Sequence, residues 1–272
     1  MKDASGVTLE IYQSIEASLG VRLVNLVYRH LATVPGALEW AWAVVGEGFE
    51  DQTYRQRAAV LLELGGAVSG AAELTGALKL NDYGLTDGDA NAAIATLDAY
   101  NRANPMNALS LRVIALALSA GWQPPARRKI VSTSTPLTEL LPMGSLDELG
   151  RESTRLLAEL AYFTTGKKSD LVPSLFRHFT AWPSLLAALR DWLKPLHDQG
   201  VVEDLSNRIS EEADVIAAEI FEDLAAADSL LSAPKDDVRA ALLNTIAQFL
   251  PAICRMIVIG GLLRRSLQVN AP

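Results

Sequence analysis

The sequence predicts an all-α protein, and three observations predict it. Apolar residues recur at intervals of three and four along most of the chain, alternating strand-like runs are almost absent, and capping residues stand where the periodic stretches begin and end. Half of the 272 residues are apolar. That is ample for a buried core in one large domain or two ordinary ones.

Each helix has its own signals. In "LTDGDANAAIATLDAYNRANP" Thr86 is the expected N-cap, acids fill the first turn, and Ile94, Leu97, Asn101 and Asn104 run down one side. "SLDELGRESTRLLAELAYFTTGKK" is a second helix, closed by Gly166. In "VVEDLSNRISEEADVIAAEIFEDLAAADSLL" the residues Leu205, Ile209, Ala213, Ile216, Ile220 and Leu224 form one stripe with acids on the opposite face. Pro35 and Pro183 each stop a helix and precede another. Asn104 before Pro105 reads as an N-cap with proline at the first helical position, so a new helix is expected there. "IAQFLP", ending at Pro251, is expected to close a helix in the same way, with an apolar helix after it.

An internal repeat sets the expected organisation. "LVNLVYRHLATVPGAL" (23–38) returns as "LVPSLFRHFTAWPSLL" (171–186), 148 positions later, with Arg29/Arg177, His30/His178, Pro35/Pro183 and Leu38/Leu186 identical. In each case a long amphipathic helix, a helix with an aromatic and a proline, and an apolar helix follow in the same order. A stretch with four prolines and a Ser/Thr cluster separates the halves and reads as a linker. We therefore expect a first helical repeat over 1–122, a linker over 123–148 and a second repeat over 149–272. The repeats are expected to pack as a pseudo-dimer around an inter-repeat site, since each needs a partner to bury its apolar face.

Composition narrows the function. A net charge of −8 with scattered basic residues argues against nucleic acid, whose phosphates demand clustered Lys and Arg. There is no signal-peptide pattern, and the longest apolar run, "MIVIGGLL", falls short of the roughly 20 residues of a membrane span. The single cysteine, Cys254, rules out an internal disulfide and the Cys-x-x-Cys pair of helical peroxidase reductases. The expectation is a cytoplasmic protein with no membrane or nucleic-acid partner, for which a homodimer is one form of assembly.

Candidate site residues are those at which the two blocks disagree. The second block offers an apolar stripe of Leu171, Leu175, Phe179 and Trp182, with Ser174 and Arg177 beside it. The first offers Leu23, Val27, Leu31 and Val34, with Leu26 and Arg29. Ser174 opposite Leu26 and Trp182 opposite Val34 would make one wall polar and bulky. The plainer alternative is that both stripes are core. Arg177 could grip a carboxylate through its guanidinium fork, although such an arginine more often pairs with acids on a neighbouring helix. The two related histidines, His30 and His178, lack further metal ligands at zinc spacing, so packing is the better reading for them. Asn101 and Asn104 put carboxamides where the stripe predicts core, and buried amides must find partners in the protein, in water or in a ligand.

Together "SLFRHFTAWP", "YNRANP" and the two-repeat helical layout resemble the group I 2-haloacid dehalogenases over nearly the whole chain. The resemblance implies a pseudo-dimeric helical fold that hydrolyses small 2-halocarboxylic acids without a cofactor, water displacing halide directly from C2. It assigns water positioning to Asn104 and carboxylate binding to Ser174. The family's catalytic aspartate falls on Leu175, and pocket-lining aromatics of the first repeat fall on Leu23 and Leu26, so both features are missing. An asparagine amide is not basic enough to take a proton from attacking water, and losing a general base costs on the order of 10² to 10⁴ in rate. Asp98, one turn from Asn101, is the substitute base the sequence offers.

Three readings follow. The first is a dehalogenase-like helical protein with a pocket for a small 2-substituted carboxylic acid and impaired or lost hydrolysis. The second is an active 2-haloacid dehalogenase that uses a different base. The third is a non-enzymatic helical interaction protein, which would expose a large apolar patch.

Overall fold

The computed structural model describes residues 4–66, 76–121, 137–168, 172–225 and 233–268. Over these residues the protein is all-α. Its helices are α1 (Gly6–Leu19), α2 (Leu26–Leu31), α3 (Ala37–Glu50), α4 (Thr53–Gly66), α5 (Asp87–Ala120), α6 (Arg151–Thr165), α7 (Ser174–Arg177), α8 (Pro183–Asp198), α9 (Val201–Ala225) and α10 (Asp236–Ser266). Two-residue strands β1 (Leu78–Lys79) and β2 (Leu267–Gln268) pair in parallel. Residues 123–136 of the expected linker lie outside the described residues. Those after them are tied down: Val21 bridges to Thr138, and a 3-10 turn spans Leu146–Glu148.

Among the described residues five helices, α1 to α5, precede the 137–150 stretch and five, α6 to α10, follow it. Taken in order, their first residues are separated by 145, 148, 146, 148 and 149 positions. The chain also divides into two compact units, each discontinuous in sequence. Unit 1 is 1–61, 105–139 and 210–253; unit 2 is 62–104, 140–209 and 254–272. The breaks after Leu61 and Ile209 are 148 residues apart, and those after Asn104 and Ile253 are 149 apart. These units do not coincide with the sequential halves 1–122 and 149–272, because each takes segments from both.

Unit 1 is organised around aromatic side chains. Tyr28 stands edge-on to Trp42 and Phe49, with ring centres 6.2 and 6.1 Å away, and Phe49 packs on Tyr54 at 5.2 Å. Gly48 makes room for this cluster, since a Cβ there would lie 2.4 Å from the Tyr54 ring. The α1 and α3 helices are linked by Ser14, whose hydroxyl donates to Glu50 at 2.8 Å. Arg112 of α5 is buried, its Nη2 donating to Ser210 and its Nη1 pairing with Asp214 at 2.9 Å, while its Nε has no hydrogen-bond partner.

In unit 2, α6 lies against α8. Leu156, Leu157 and Leu160 are buried on one, and Leu185, Leu189, Leu193 and Leu196 on the other. Gly166 closes α6 as expected: at φ 70° it takes the left-handed conformation, and its N–H reaches the Tyr162 carbonyl at 2.8 Å. Arg255 of α10 completes that helix end by donating to the Thr165 carbonyl and pairing with Glu203. Thr86 caps α5 as expected, its Oγ1 accepting the Asp89 N–H at 3.2 Å while Asp89 accepts the Thr86 hydroxyl at 2.7 Å.

Two expected boundaries are corrected. No helix starts at Asn104 or stops at Pro251, because α5 and α10 run straight through Pro105 and Pro251. Each proline removes one i→i−4 bond and costs about 3 kcal/mol in a helix interior. Around Pro105, Ala103, Met106, Ala108 and Leu109 are all buried, and this packing outweighs the lost bond. The stripe 171–182 is not one helix either. Leu171 lies outside the described residues, and Pro173, whose ring disfavours helical backbone before it, lets α7 start only at Ser174. α10 is also long and apolar enough to cross a membrane, but two thirds of its apolar window is buried within the protein, as in a core helix.

Candidate functional site

Seven of the sequence-predicted site residues, Asp98, Asn101, Asn104, Ser174, Leu175, Arg177 and Trp182, fall in unit 2, on α5 and on the turn that α7 begins. Leu23, buried between the Val21 bridge and α2, and Leu26, the half-buried first residue of α2, fall in unit 1.

The α7 turn is short and is held from outside itself. The backbone bonds that follow it, His178 N–H to Leu175, Phe179 N–H to Phe176 and Trp182 N–H to Phe179, are of the tight i→i−3 type. Ser174 at its start and Trp182 at its end are half-buried, whereas Leu175 is fully buried. Position 175 therefore presents hydrocarbon to the interior and no proton acceptor.

Residues 141–144 fasten this turn. Arg177 donates to the Gly144 carbonyl from Nη2 at 2.8 Å and from Nε at 3.2 Å, and the Gly144 N–H returns a bond to the Arg177 carbonyl at 3.0 Å. The Arg177 guanidinium is thus engaged with backbone rather than with acids of a neighbouring helix. His178, 5 % exposed, bonds through Nδ1 to the Leu141 carbonyl and through Nε2 to the Tyr100 hydroxyl at 3.1 Å. A carbonyl only accepts, so Nδ1 carries the hydrogen and Nε2 accepts from Tyr100. Burial lowers the His178 pKa, helped by the neighbouring Arg177 charge and opposed by the Leu141 and Pro142 carbonyls. The imidazole is neutral near pH 7.

On α5, Asn104 is buried one turn beyond Tyr100. Asn101 donates Nδ2 to the Gly260 carbonyl at 3.1 Å, while its buried Oδ1 has no hydrogen-bond partner. Asp98 is half exposed and pairs with Arg264 at 2.8 Å, which gives its carboxylate a surface partner. No cluster of three or more His, Cys, Asp or Glu suited to a metal occurs among the described residues.

His30, the twin of His178, is exposed and rests its ring against Phe249 at 5.3 Å. His178 faces Tyr100 at 5.7 Å, and Tyr100 and Phe249 are 149 positions apart. The two histidines are thus 148 positions apart and their aromatic partners 149, and only the partner of His178 has a hydroxyl. Sequence reasoning assigns His178 to packing and passes over Tyr100. The identical Arg-His pair is the available signal, but the partners of His178 lie 37 and 78 residues away.

No protein-family model matches the chain, and no curated protein matches it in sequence. Solved structures do. A D-2-haloacid dehalogenase mutant matches over 97% of this chain and 93% of its own, with a TM-score of 0.74 at 15% identity. A complex of a D-2-haloacid dehalogenase mutant with D-2-CPA matches with the same coverage, TM-score and identity. D-2-haloacid dehalogenase with L-LA matches over 97% and 94%, with a TM-score of 0.70 at 15% identity. The fold is that of the D-2-haloacid dehalogenases. At this identity the likeness is one of backbone architecture over nearly the full length of both chains.

Proposed function

We propose that the protein binds a small 2-substituted carboxylic acid at a site built on α5 and the α7 turn, and that hydrolytic dehalogenation there is impaired. The carrying observation is the dehalogenase fold, matched over almost all of the chain, with a fully buried leucine at position 175. In this reading Asn104 positions water, Ser174 receives the carboxylate, and Trp182 contributes apolar lining. Water attacking a saturated carbon must give up a proton, and neither the amide of Asn104 nor the hydrocarbon of Leu175 can take it. The recurrence of five helices at intervals of 145 to 149 residues supports tandem repeats as the origin of this scaffold. The reading requires no cofactor and a soluble, cytoplasmic setting.

The test is Leu175→Asp, checked for folding by circular dichroism, with chloride release from each enantiomer of 2-chloropropionate as readout. Restoring a base should raise turnover by on the order of 10² to 10⁴ over the natural chain. A folded variant that releases no chloride above the natural chain removes the reading. Chloride release by the natural chain at the level of the variant would instead support an active dehalogenase with another base.

A further inference from the structure

We propose that His178 is a positioning residue: a neutral imidazole clamp that seats the turn carrying Ser174 and Leu175 against α5 and residues 141–144, and whose protonation loosens that turn. The consequence for ligand binding rests on the function proposed above; the clamp itself rests on geometry alone.

Three segments of unit 2 meet at this ring. The Leu141 carbonyl fixes the tautomer from one side, and the Tyr100 hydroxyl occupies Nε2 from the other. The 141–144 segment is held at both ends: the Leu141 N–H donates to Thr96 on α5 at 3.2 Å, and Gly144 exchanges bonds with Arg177. A side chain at Gly144 would have to displace the Thr180 hydroxyl, since a Cβ there would lie 2.1 Å from its oxygen. The α7 helix is only four residues long and closes with i→i−3 bonds, so these outside contacts decide where Ser174 and Leu175 sit relative to the helix bearing Asn104.

Protonation reverses one link of this chain. A hydrogen on Nε2 would face the hydrogen of Tyr100, so the phenol must swing round to accept. The ring would then be a buried cation. The charged or titratable groups acting on it are the Arg177 guanidinium of its own turn and the Tyr100 phenol of α5, while the 141–144 segment contributes only the Leu141 and Pro142 carbonyls. A like charge and burial both oppose the imidazolium, and opening the turn to water relieves both. The twin His30 is already exposed, which makes the clamp a property of the second block alone.

His178→Gln tests this, because a glutamine carboxamide can donate to the Leu141 carbonyl and accept from Tyr100 without titrating. Backbone hydrogen exchange over 174–180 would be compared at about pH 7.5 and about pH 5.5, corrected for intrinsic exchange, alongside calorimetric binding of 2-chloropropionate and lactate. In the natural protein, protection over 174–180 should fall severalfold in acid, up to about tenfold, and affinity should weaken with it; in the variant neither should change. Unchanged protection in the natural protein, or an equal loss in the variant, overturns the clamp. If neither acid binds at either pH, the proposed function falls while the exchange result still judges the clamp. Should the variant not fold, Tyr100→Phe replaces it: the expected result is lost protection confined to 174–180 at about pH 7.5, and undiminished protection there overturns the inference.

Discussion

The carboxamide of Asn101 lies in the space that a side chain at Gly260 would fill. Its Nδ2 donates to the Gly260 carbonyl at 3.1 Å, and a Cβ built on Gly260 would stand 2.0 Å from its Oδ1. The glycine is thus matched to one side chain on α5, and Gly260→Ala should displace that amide and break its bond. Overpacking of this kind costs typically 1–3 kcal/mol. We expect a loss of about 2 kcal/mol in urea unfolding, and a smaller additional loss for Gly260→Ala when Asn101→Ala is already present. Additive losses would mean that the two positions are not coupled.

The buried hydroxyl of Tyr28 makes a different kind of contact, 2.9 Å from the Ser110 hydroxyl, which in turn donates to the Asn107 carbonyl at 3.0 Å. Burial raises the Tyr28 pKa well beyond its ordinary range, so the phenol stays protonated, and the Ser110 bond only partly offsets that rise. The position 148 residues later carries Phe176. Tyr28→Phe therefore removes one hydroxyl without a change of shape, and Ser110 keeps its carbonyl partner. The expected cost is about 1 kcal/mol in urea unfolding, with no change in circular dichroism. A neutral or stabilising result would show that the hydroxyl pair contributes nothing net.

Much of the scaffold is legible in the sequence because its signals are local. Thr86 and Asp89 announce the start of α5 within four residues, Gly166 announces the end of α6, and the stripe from Leu205 to Ile220 is buried where the period of 3.6 puts it. The prolines mislead for the opposite reason: whether a helix survives Pro105 or Pro251 depends on burial by segments far away in sequence, which no local pattern records. The site follows the same division. That Asn101 is a buried amide can be read from periodicity, but its partner Gly260 is 159 residues distant. Arg177 reads as a carboxylate anchor or an ion-pair partner, yet it binds the Gly144 carbonyl, a backbone atom whose presence no residue type advertises. Asp98 reads as an available base because nothing local places Arg264, 166 residues away, beside it.

Glu16 on α1 gives a pH-dependent prediction whose sign can be worked out. The residue is 6 % exposed, its Oε1 has no hydrogen-bond partner, and its pKa is raised, first by burial and then by Glu139, against the lowering effect of Arg22. A carboxyl with a raised native pKa holds its proton more tightly when folded. Its contribution favours folding below the ordinary glutamate value and is lost as pH rises through the native value, so at pH 7 the buried charge is a liability. Glu16→Gln should therefore leave stability unchanged near about pH 4 and raise it by on the order of 1 kcal/mol near about pH 7. Urea unfolding of both proteins across that range checks it. A variant less stable than the natural chain at neutral pH would show that the charged carboxylate has a favourable role, with the attraction of Arg22 outweighing the desolvation of its buried oxygen.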